Sequence, residues 1–518
     1  GRKFSAPTAP TPSTPPTPPT REIIMKPDYE TGIIGAGFGG IIAALKLIAS
    51  GRTSFVVFER ASEIGGTWRD NTYPGCACDI PSNLYSIESE PNPDWSRRYS
   101  PQPEILSYLK NVAVKHDLYR YIQFDSEIIR FEYIEQSGFW ELTDRNGRRT
   151  TVRLVISALG PFQSPKLPEI PGLDNFEGNL IHSARWNHKV DLKGKRVAVV
   201  GTGASAIQIV PAIAPDVAQL TVFQRTPSWV SDRYDLESSP FYKSLYRRFP
   251  KIQRLVRRGL FRFLEFRGRL FLGNKFRYRF FKKLCLKKLE REVVDPDVRR
   301  RLTPDYAMGC KRIVVSDDYL PTFNRTNVAL ETQGIEKLIP LGIVTKDGVA
   351  HPVDAIIFAT GFEVVDFDGI KLFGLSGREL YGEWKQSGIA AYKGTVISGF
   401  PNLCTLLGPN SGFGHNSVLL AMEAQMNYVM QYLAFLERQP DNAGLDLKPE
   451  VQQSYNEALQ QKFSGTVWAS GCKSWYLDEH GNNPVIYPGL MGVFQQETKQ
   501  FNPADYQPVS VLSGTTQF

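Results

Sequence analysis

Apolar positions fall into two rhythms along this chain, and their alternation predicts an α/β architecture. Short stretches rich in apolar and β-branched residues at 31–34, 54–58, 196–200 and 219–224 read as buried strands. A longer apolar stretch at 41–50 reads as a helix, so strand, turn, helix and strand follow one another as in a βαβ unit. Residues 125–158 alternate apolar and polar positions around Gly147, which predicts a small sheet closing the first unit. The stretch 236–301 is aromatic and leucine-rich, with Phe261, Leu264 and Phe271 near helical spacing, and reads as a helical insertion. Helices are predicted again at 418–436 and 449–460. No uncharged apolar run reaches the ~18 residues needed to cross a bilayer. Residues 1–20 are mostly Pro, Thr, Ser and Ala with little to bury, which predicts disorder or a tether.

The turns between these elements carry candidate chemistry. Strand 31–34 runs into Gly35-Ala36-Gly37-Phe38-Gly39-Gly40 and then the helix, the context in which a G-x-G-x-x-G turn holds a pyrophosphate at a helix N-terminus. Strand 54–58 ends at Glu59, 24 residues after Gly35, where a carboxylate accepts hydrogen bonds from an adenosine ribose and repels a 2′-phosphate. The first site is therefore expected to take FAD or NAD through Gly35, Gly37, Gly40 and Glu59. Strand 196–200 opens a second loop, Gly201-Thr202-Gly203-Ala204-Ser205-Ala206, with alanine as the third small residue. The strand after it ends in Arg225-Thr226, and Arg225 stands 24 residues after Gly201, the place Glu59 holds in the first unit. A guanidinium forks onto a phosphate, so the second nucleotide is expected to be NADPH, held by Gly201, Thr202, Gly203, Ser205, Ala206, Arg225 and Thr226.

Composition narrows this picture at three points. At 518 residues and 42% hydrophobic, two to four domains with real cores are expected. The net charge of +8 is local in origin: residues 243–301 hold 21 Lys plus Arg against 5 Asp plus Glu, a local +16 that leaves about −8 for the rest. That segment reads as a solvated face that also attracts anionic NADPH, with a weak peripheral membrane contact through 243–301 as the sharper reading. Six cysteines, of which only Cys76 and Cys78 are close in sequence, make no disulfide framework, and a reducing, cytoplasmic compartment is expected. No metal is expected, since the six histidines form no H-E-x-x-H, and there is no G-x-S-x-G elbow.

Between the two loops lies F-E-G-N-L-I-H-S-A-R-W, residues 176–186, with Phe176, Gly178, His182 and Trp186 at fixed spacing. F-x-G-x-x-x-H-x-x-x-W between two dinucleotide loops resembles the fingerprint of the type I Baeyer–Villiger monooxygenases, over about residues 29–494. Asn187 stands where the family pattern has Pro or Asp. The resemblance implies two Rossmann-like domains, one for FAD (28–160 and 371–518) and one for NADPH (161–235 and 305–370). A basic helical insertion (236–304) and a disordered Pro/Thr-rich tail (1–27) complete that division. It implies that a small-molecule ketone becomes an ester or lactone: NADPH reduces FAD, dioxygen adds at flavin C4a, and the peroxide attacks the ketone. Gly66, Thr67, Trp68, Asp70 and Tyr85 then belong to the segment along the flavin, and segment 403–417 returns to it. Asp79 and Arg312 match an active-site aspartate, which also borders the cofactor, and an essential arginine. Lys311 matches an NADP-binding lysine, and Trp475 a tryptophan that closes over the nicotinamide. His182 and Trp186 are assigned to linker geometry.

Three rivals remain. A flavin monooxygenase oxygenating amine or sulfide atoms is the nearest, but its comparable motif ends in Tyr or Phe, where Trp186 stands here. A two-nucleotide disulfide reductase needs C-x-x-C, and Cys76 and Cys78 form C-x-C, read as packed thiols. A catalytically silent FAD-binding protein differs in that NADPH does not bleach its flavin. No nucleic-acid partner is expected. A chain lacking residues 1–20 is expected to fold and keep its flavin, because that segment has no apolar set to dock. Thermal unfolding checks this, and a midpoint several degrees lower contradicts the tether reading.

Overall fold

A computed structural model describes residues 26–363, 369–440, 442–472, 474–478 and 480–509. The expected tail lies outside the described residues apart from its last two positions. Two sheets carry the fold. In chain order their strands are β1 (Tyr29–Ile34), β2 (Phe55–Phe58), β3 (Ile122–Gln123), β4 (Ile128–Ile134), β5 (Phe139–Asp144), β6 (Arg149–Ser157), β7 (Asn179–His182), β8 (Arg196–Val200), β9 (Gln219–Phe223), β10 (Val328–Glu331), β11 (Ala355–Phe358), β12 (Lys371–Phe373) and β13 (Leu403–Thr405). The helices needed below are α1 (Phe38–Ala49), α2 (Gln102–Lys115), α3 (Ala206–Ile213), α4 (Pro240–Arg248), α5 (Pro250–Gly268), α6 (Lys275–Glu292) and α7 (Val418–Leu436).

The first sheet runs β12-β4-β5-β6-β1-β2-β3, with β13 also paired to β6. Strands β1, β2, β3 and the end of β6 are parallel, whereas β4, β5 and the start of β6 form an antiparallel meander. The alternation at 125–158 therefore builds a continuation of the first sheet where a separate small one was expected. The reason lies in β6: its first half pairs with β5 and its end, from Val155 to Ser157, pairs with β13 on the same side. One strand serves both ladders, so the meander has no edge at which to separate. The second sheet, β10-β9-β8-β11-β7, is wholly parallel.

Burial explains why these short runs become strands. All four residues of β2 and all four of β11 are buried, as expected for parallel strands covered on both faces. Helix α1 is apolar nearly all round and packs between the first sheet and α7, itself largely buried. Strands β12 and β13 rejoin the first sheet, so the chain leaves the first unit, builds the second and returns, and Gly444–Leu447 then pairs with Tyr506–Val509 in a ribbon of its own. The insertion between β9 and β10 is helical over α4, α5 and α6. Phe271, expected on a helix, instead sits in the turn between α5 and α6, where it stacks on Trp468 at 5.5 Å.

Candidate active site

Strand β1 ends at Ile34, and Gly35 turns the chain with φ +100°, a conformation that glycine holds without strain. Its N–H donates to Phe58 O at 2.7 Å, and the carbonyl of Gly35 lies against Gly40, where no side chain fits. Gly37 caps α1. A second glycine turn abuts this one: Gly65 N–H donates to Ala36 O at 3.0 Å, and a Cβ on Gly66 would lie 3.1 Å from Gly37 Cα. Two bare backbones side by side at a helix N-terminus form a cradle that suits a pyrophosphate. Glu59 ends β2 buried, with Oε1 accepting from Ala61 N–H and Arg69 and Oε2 accepting from Ala36 N–H. Oε2 keeps a lone pair for a ribose hydroxyl. After Gly66, Thr67 opens a single helical turn whose Trp68 indole donates to Tyr85 Oη at 3.0 Å, and Tyr85 packs edge-on against Phe38. Burial works against the charge on Asp70, but the hydrogen bond from Arg69 and the charges of Arg69 and Arg60 outweigh it, so its carboxyl stays below the usual range.

The second loop follows β8. Gly201 also has positive φ and lies against the Ala359 carbonyl, while Gly203 faces open space ahead of α3. Thr202 Oγ donates to Thr226 O at 2.7 Å and Ser228 Oγ to Thr202 O at 2.6 Å, tying the loop to the segment after β9. Ser205 and Ala206 start α3. Arg225 is exposed, and no carboxylate among the described residues pairs with it. Lys311 reaches the same neighbourhood from 86 residues further along: burial lowers its pKa, and the positive charge of Arg225 lowers it further. Two cations that repel each other, with the charge of Asp305 only partly offsetting the effect on Lys311, suit a phosphate.

A polar clamp seats the turn at 73–79 on the helix that follows the second loop. Gln208 on α3 accepts at Oε1 from Tyr73 Oη (3.1 Å) and Ala77 N–H (3.3 Å), and its Nε2 donates to Ala77 O at 3.0 Å. Gly75, with φ +78°, lets this turn press onto α3; a Cβ there would lie 2.6 Å from Gln208 O. Arg233 donates to Cys78 O at 3.0 Å and lies over the Tyr99 ring. The clamped turn ends in Asp79, whose Oδ2 accepts from Arg312 Nη2 at 2.5 Å. The charge of Asp79 raises the Arg312 pKa against the opposing effect of burial. Burial pushes the neighbouring Tyr476 phenol up to about 12 although Arg312 pulls it down, so it stays a neutral donor beside the pair. A cleft of about 480 Å³, lined by Tyr73, Cys76, Arg233 and Asp317 among others, opens along the turn without reaching Asp79 or Arg312.

Cys310 and Cys472, 162 residues apart in sequence, are paired in a disulfide with Cα atoms 6.5 Å apart. Sequence spacing hides such a pair, and one bridge beside four free cysteines makes no disulfide framework. The bridge ties the loop of Lys311 and Arg312 to the segment of Trp475 and Tyr476. Cys76 and Cys78 are free and buried. Trp475 is 51% exposed, beside the Tyr476 ring at 4.4 Å.

Phe176, Gly178, His182 and Trp186 follow the first edge of the second sheet. Phe176 is buried in that unit's core, and Gly178 is wedged between the Phe176 ring and the Asp354 carbonyl. His182 ends β7, accepting at Nδ1 from Ala184 N–H at 3.1 Å; burial and then Arg185 lower its pKa. Trp186 packs against the large core that also contains α1 and α3. Gln208, Arg233 and Tyr476 were not singled out from the sequence as site residues. Only the S-W-Y triplet carried a signal, for Tyr476.

Two glycine loops at the ends of parallel strands, one closed by an acid and one by an arginine, with a cation–carboxylate pair between them, define an enzyme of two dinucleotides. Residues 29–369 match the family described as FMO-like, flavin-binding monooxygenase-like. The chain belongs to that family and, within it, to the Baeyer–Villiger monooxygenases. A Baeyer–Villiger monooxygenase of Streptomyces coelicolor is 43% identical over 477 residues, covering 92% of each chain. One of Pseudomonas aeruginosa is 43% identical over 491 residues, covering 93% of this chain and 92% of its own. The crystal structure of OTEMO in complex with FAD and NADP superposes with a TM-score of 0.82 at 27% identity, over 93% of this chain and all of that one.

Gln208→Ala strips a donor and an acceptor from Ala77, each worth roughly 1 to 3 kcal/mol when left unsatisfied. The thermal midpoint is expected to fall by about 4 °C or more, with slower flavin reduction by NADPH. Calorimetry and stopped-flow absorbance check this; an unchanged midpoint together with an unchanged reduction rate removes the clamp from the account.

Proposed function

We infer that this chain is an FAD- and NADPH-dependent Baeyer–Villiger monooxygenase that converts a ketone to an ester or lactone with dioxygen. The observation that carries the reading is the Arg312–Asp79 ion pair at the end of the turn that clamps the two nucleotide loops together. FAD fits the first cradle, along Gly35, Gly37, Gly40 and Gly66, with Glu59 toward its ribose and Thr67, Trp68, Asp70, Asp79 and Tyr85 bordering it. NADPH fits the second loop, along Gly201, Thr202, Gly203, Ser205 and Ala206, with Arg225, Thr226 and Lys311 toward the 2′-phosphate. When bound, FAD supplies electron transfer from NADPH and the activation of dioxygen.

The residues of the chain then have separable duties. Arg312 offsets the negative charge that builds on oxygen as it is inserted, a preorganised cation in a partly buried site. Asp79 positions that guanidinium, and Tyr476 offers a neutral hydroxyl beside it. Trp475 is exposed on a segment bridged to the Arg312 loop, which supports a role in covering the nicotinamide. Phe176, Gly178, His182 and Trp186 set the geometry of the linker. We also infer a peripheral membrane contact through the basic insertion 243–301. No helix among the described residues is long and apolar enough to cross a membrane.

Arg225→Ala is expected to weaken NADPH use by about 10- to 150-fold, the loss of a charge-assisted contact of about 1.5 to 3 kcal/mol, with NADH far less affected. Steady-state kinetics with both coenzymes decides it, since equal losses contradict the phosphate assignment.

Arg312→Ala is expected to separate the half-reactions. NADPH still bleaches the flavin, ester formation falls by about 100- to 1000-fold, and residual NADPH consumption appears as hydrogen peroxide. Stopped-flow absorbance and mass spectrometry of products from a panel of linear, cyclic and aryl ketones test it. A variant that makes ester at the wild-type rate would falsify the role of Arg312.

A further inference from the structure

We propose that one face of the insertion, built by α5 and α6, docks the enzyme on the surface of a bilayer containing anionic lipid. This rests on the peripheral-contact reading of the insertion and is independent of the oxygenation chemistry. Helix α5 turns Gln253, Leu264 and Gly268 inward. On its opposite side Ile252, Leu255, Phe263 and Phe266 are exposed, at offsets of 3, 11 and 14 residues that keep them in one stripe. Helix α6 repeats the pattern: Cys285, Lys288 and Leu289 face inward, and Phe276, Phe280 and Leu284, four residues apart, face out, Phe276 at 82% exposure. The Arg277 guanidinium lies 3.8 Å over the Phe266 ring, so the end of one stripe meets the start of the other. Large apolar side chains in a continuous exposed patch mark a surface that is covered in use.

Charge identifies the cover. Exposed Lys251, Arg258 and Arg262 flank the first stripe, and exposed Arg279, Lys283 and Lys287 flank the second. Among the acids of the segment, Glu290 is exposed on α6 beside the cations and leaves that face with a net positive charge, Asp295 accepts from the N–H groups of Asp297 and Val298, and Glu265 faces inward and accepts from His415, Asn416 and the N–H groups of Met491 and Gly492. Glu292 is held by Lys288 and Arg291, and Asp297 by Arg300 and Arg301. The outward face is therefore apolar and cationic together, the pattern of a helix that lies in a headgroup layer. A second copy of this chain would bring two such cationic faces together, which repel. A nucleic acid matches the charge and stacks on phenylalanine rings, but it leaves Ile252, Leu255 and Leu284 uncovered, which offer no ring for a base. Anionic lipid answers both halves of the pattern, each cation near the surface adding about fivefold to binding.

The test uses the purified full-length holoenzyme and sedimentation with vesicles of phosphatidylcholine alone or mixed with phosphatidylglycerol, at low and high salt. Pelleting with the mixed vesicles at low salt, much weaker with phosphatidylcholine and reduced by salt, is the expected result. Phe276→Ser with Phe280→Ser, and separately Lys283→Glu with Lys287→Glu, are each expected to lower binding by at least about tenfold while flavin content stays wild-type. The charge-reversed variant touches only exposed side chains, so the test survives if the serine variant fails to fold. The proposal is overturned if the holoenzyme stays in the supernatant with the mixed vesicles, or if both variants pellet like wild-type. It is also overturned if the variants turn a dimer into a monomer in sedimentation velocity, or if single-stranded RNA binds the same face more tightly than the vesicles do. Pelleting is read without turnover, so an inactive holoenzyme that pellets supports the docking face while failing the oxygenation reading.

Discussion

The seating of the 73–79 turn on α3 is the contact on which the rest of the site depends. Gln208 gives both ends of its amide to one residue, Ala77, and a third bond to Tyr73 fixes the side chain that makes them. Because α3 begins at the second glycine loop and the turn follows the first, this amide helps fix how the two loops sit relative to each other. Hydride transfer is sensitive to about an ångström of misplacement, so a directional clamp matters more here than the same area of apolar contact. Gly75 is the steric condition for it: any side chain would collide with the α3 backbone and lift the turn.

The charges are arranged by the same geometry. Asp79 comes at the end of the clamped turn, Arg233 holds the carbonyl of the residue before it, and Arg312 arrives from a loop bridged through Cys310 to the segment of Tyr476. The guanidinium is thus fixed from two sides, by its carboxylate and by its own loop. Neighbouring Lys311 feels the charge of Arg225 where Arg312 feels that of Asp79, so two adjacent cations have different surroundings. On the proposed reading, Lys311 binds the cofactor's phosphate while Arg312 stays free for the chemistry.

Much of this was legible in the chain because the elements that matter are buried on both faces and their turns are chemically restricted. The strand ends at 33–34, 55–58, 197–200 and 222–223 are apolar just before their turns, and on the proposed reading the contrast of Glu59 with Arg225 distinguishes the two nucleotides by charge. The residues that couple the units were not legible. Gln208 looks like an ordinary polar position on a helix until its partner, 131 residues away, is seen. The pairing of Cys310 with Cys472 is hidden in the same way by distance along the chain. The meander at 125–158 was recognised as a sheet, but not as part of the first sheet, because alternation reports which face a residue takes and is silent about which strand lies next to it.

The insertion brings these two levels together. Its inward side is specific: Glu265 gathers His415 and Asn416, from the segment just before α7, with the backbone at 491–492, and burial of that carboxylate is outweighed by the hydrogen bonds from His415, Gly492 and Asn416, so it remains charged. Its outward side is repetitive, apolar and cationic. Because Glu265 lies on α5, the helix that carries the first outward stripe, a rigid helix joins the surface face to the segment that returns to the flavin on the proposed reading. Any contact that shifts α5 acts on that segment through two hydrogen bonds to one carboxylate, from His415 and Asn416, and on the backbone at 491–492 through two more. A solvated decorative face would need no such attachment, so on the proposed reading the inward anchor at Glu265 and the net cationic outward face belong to one device with two surfaces.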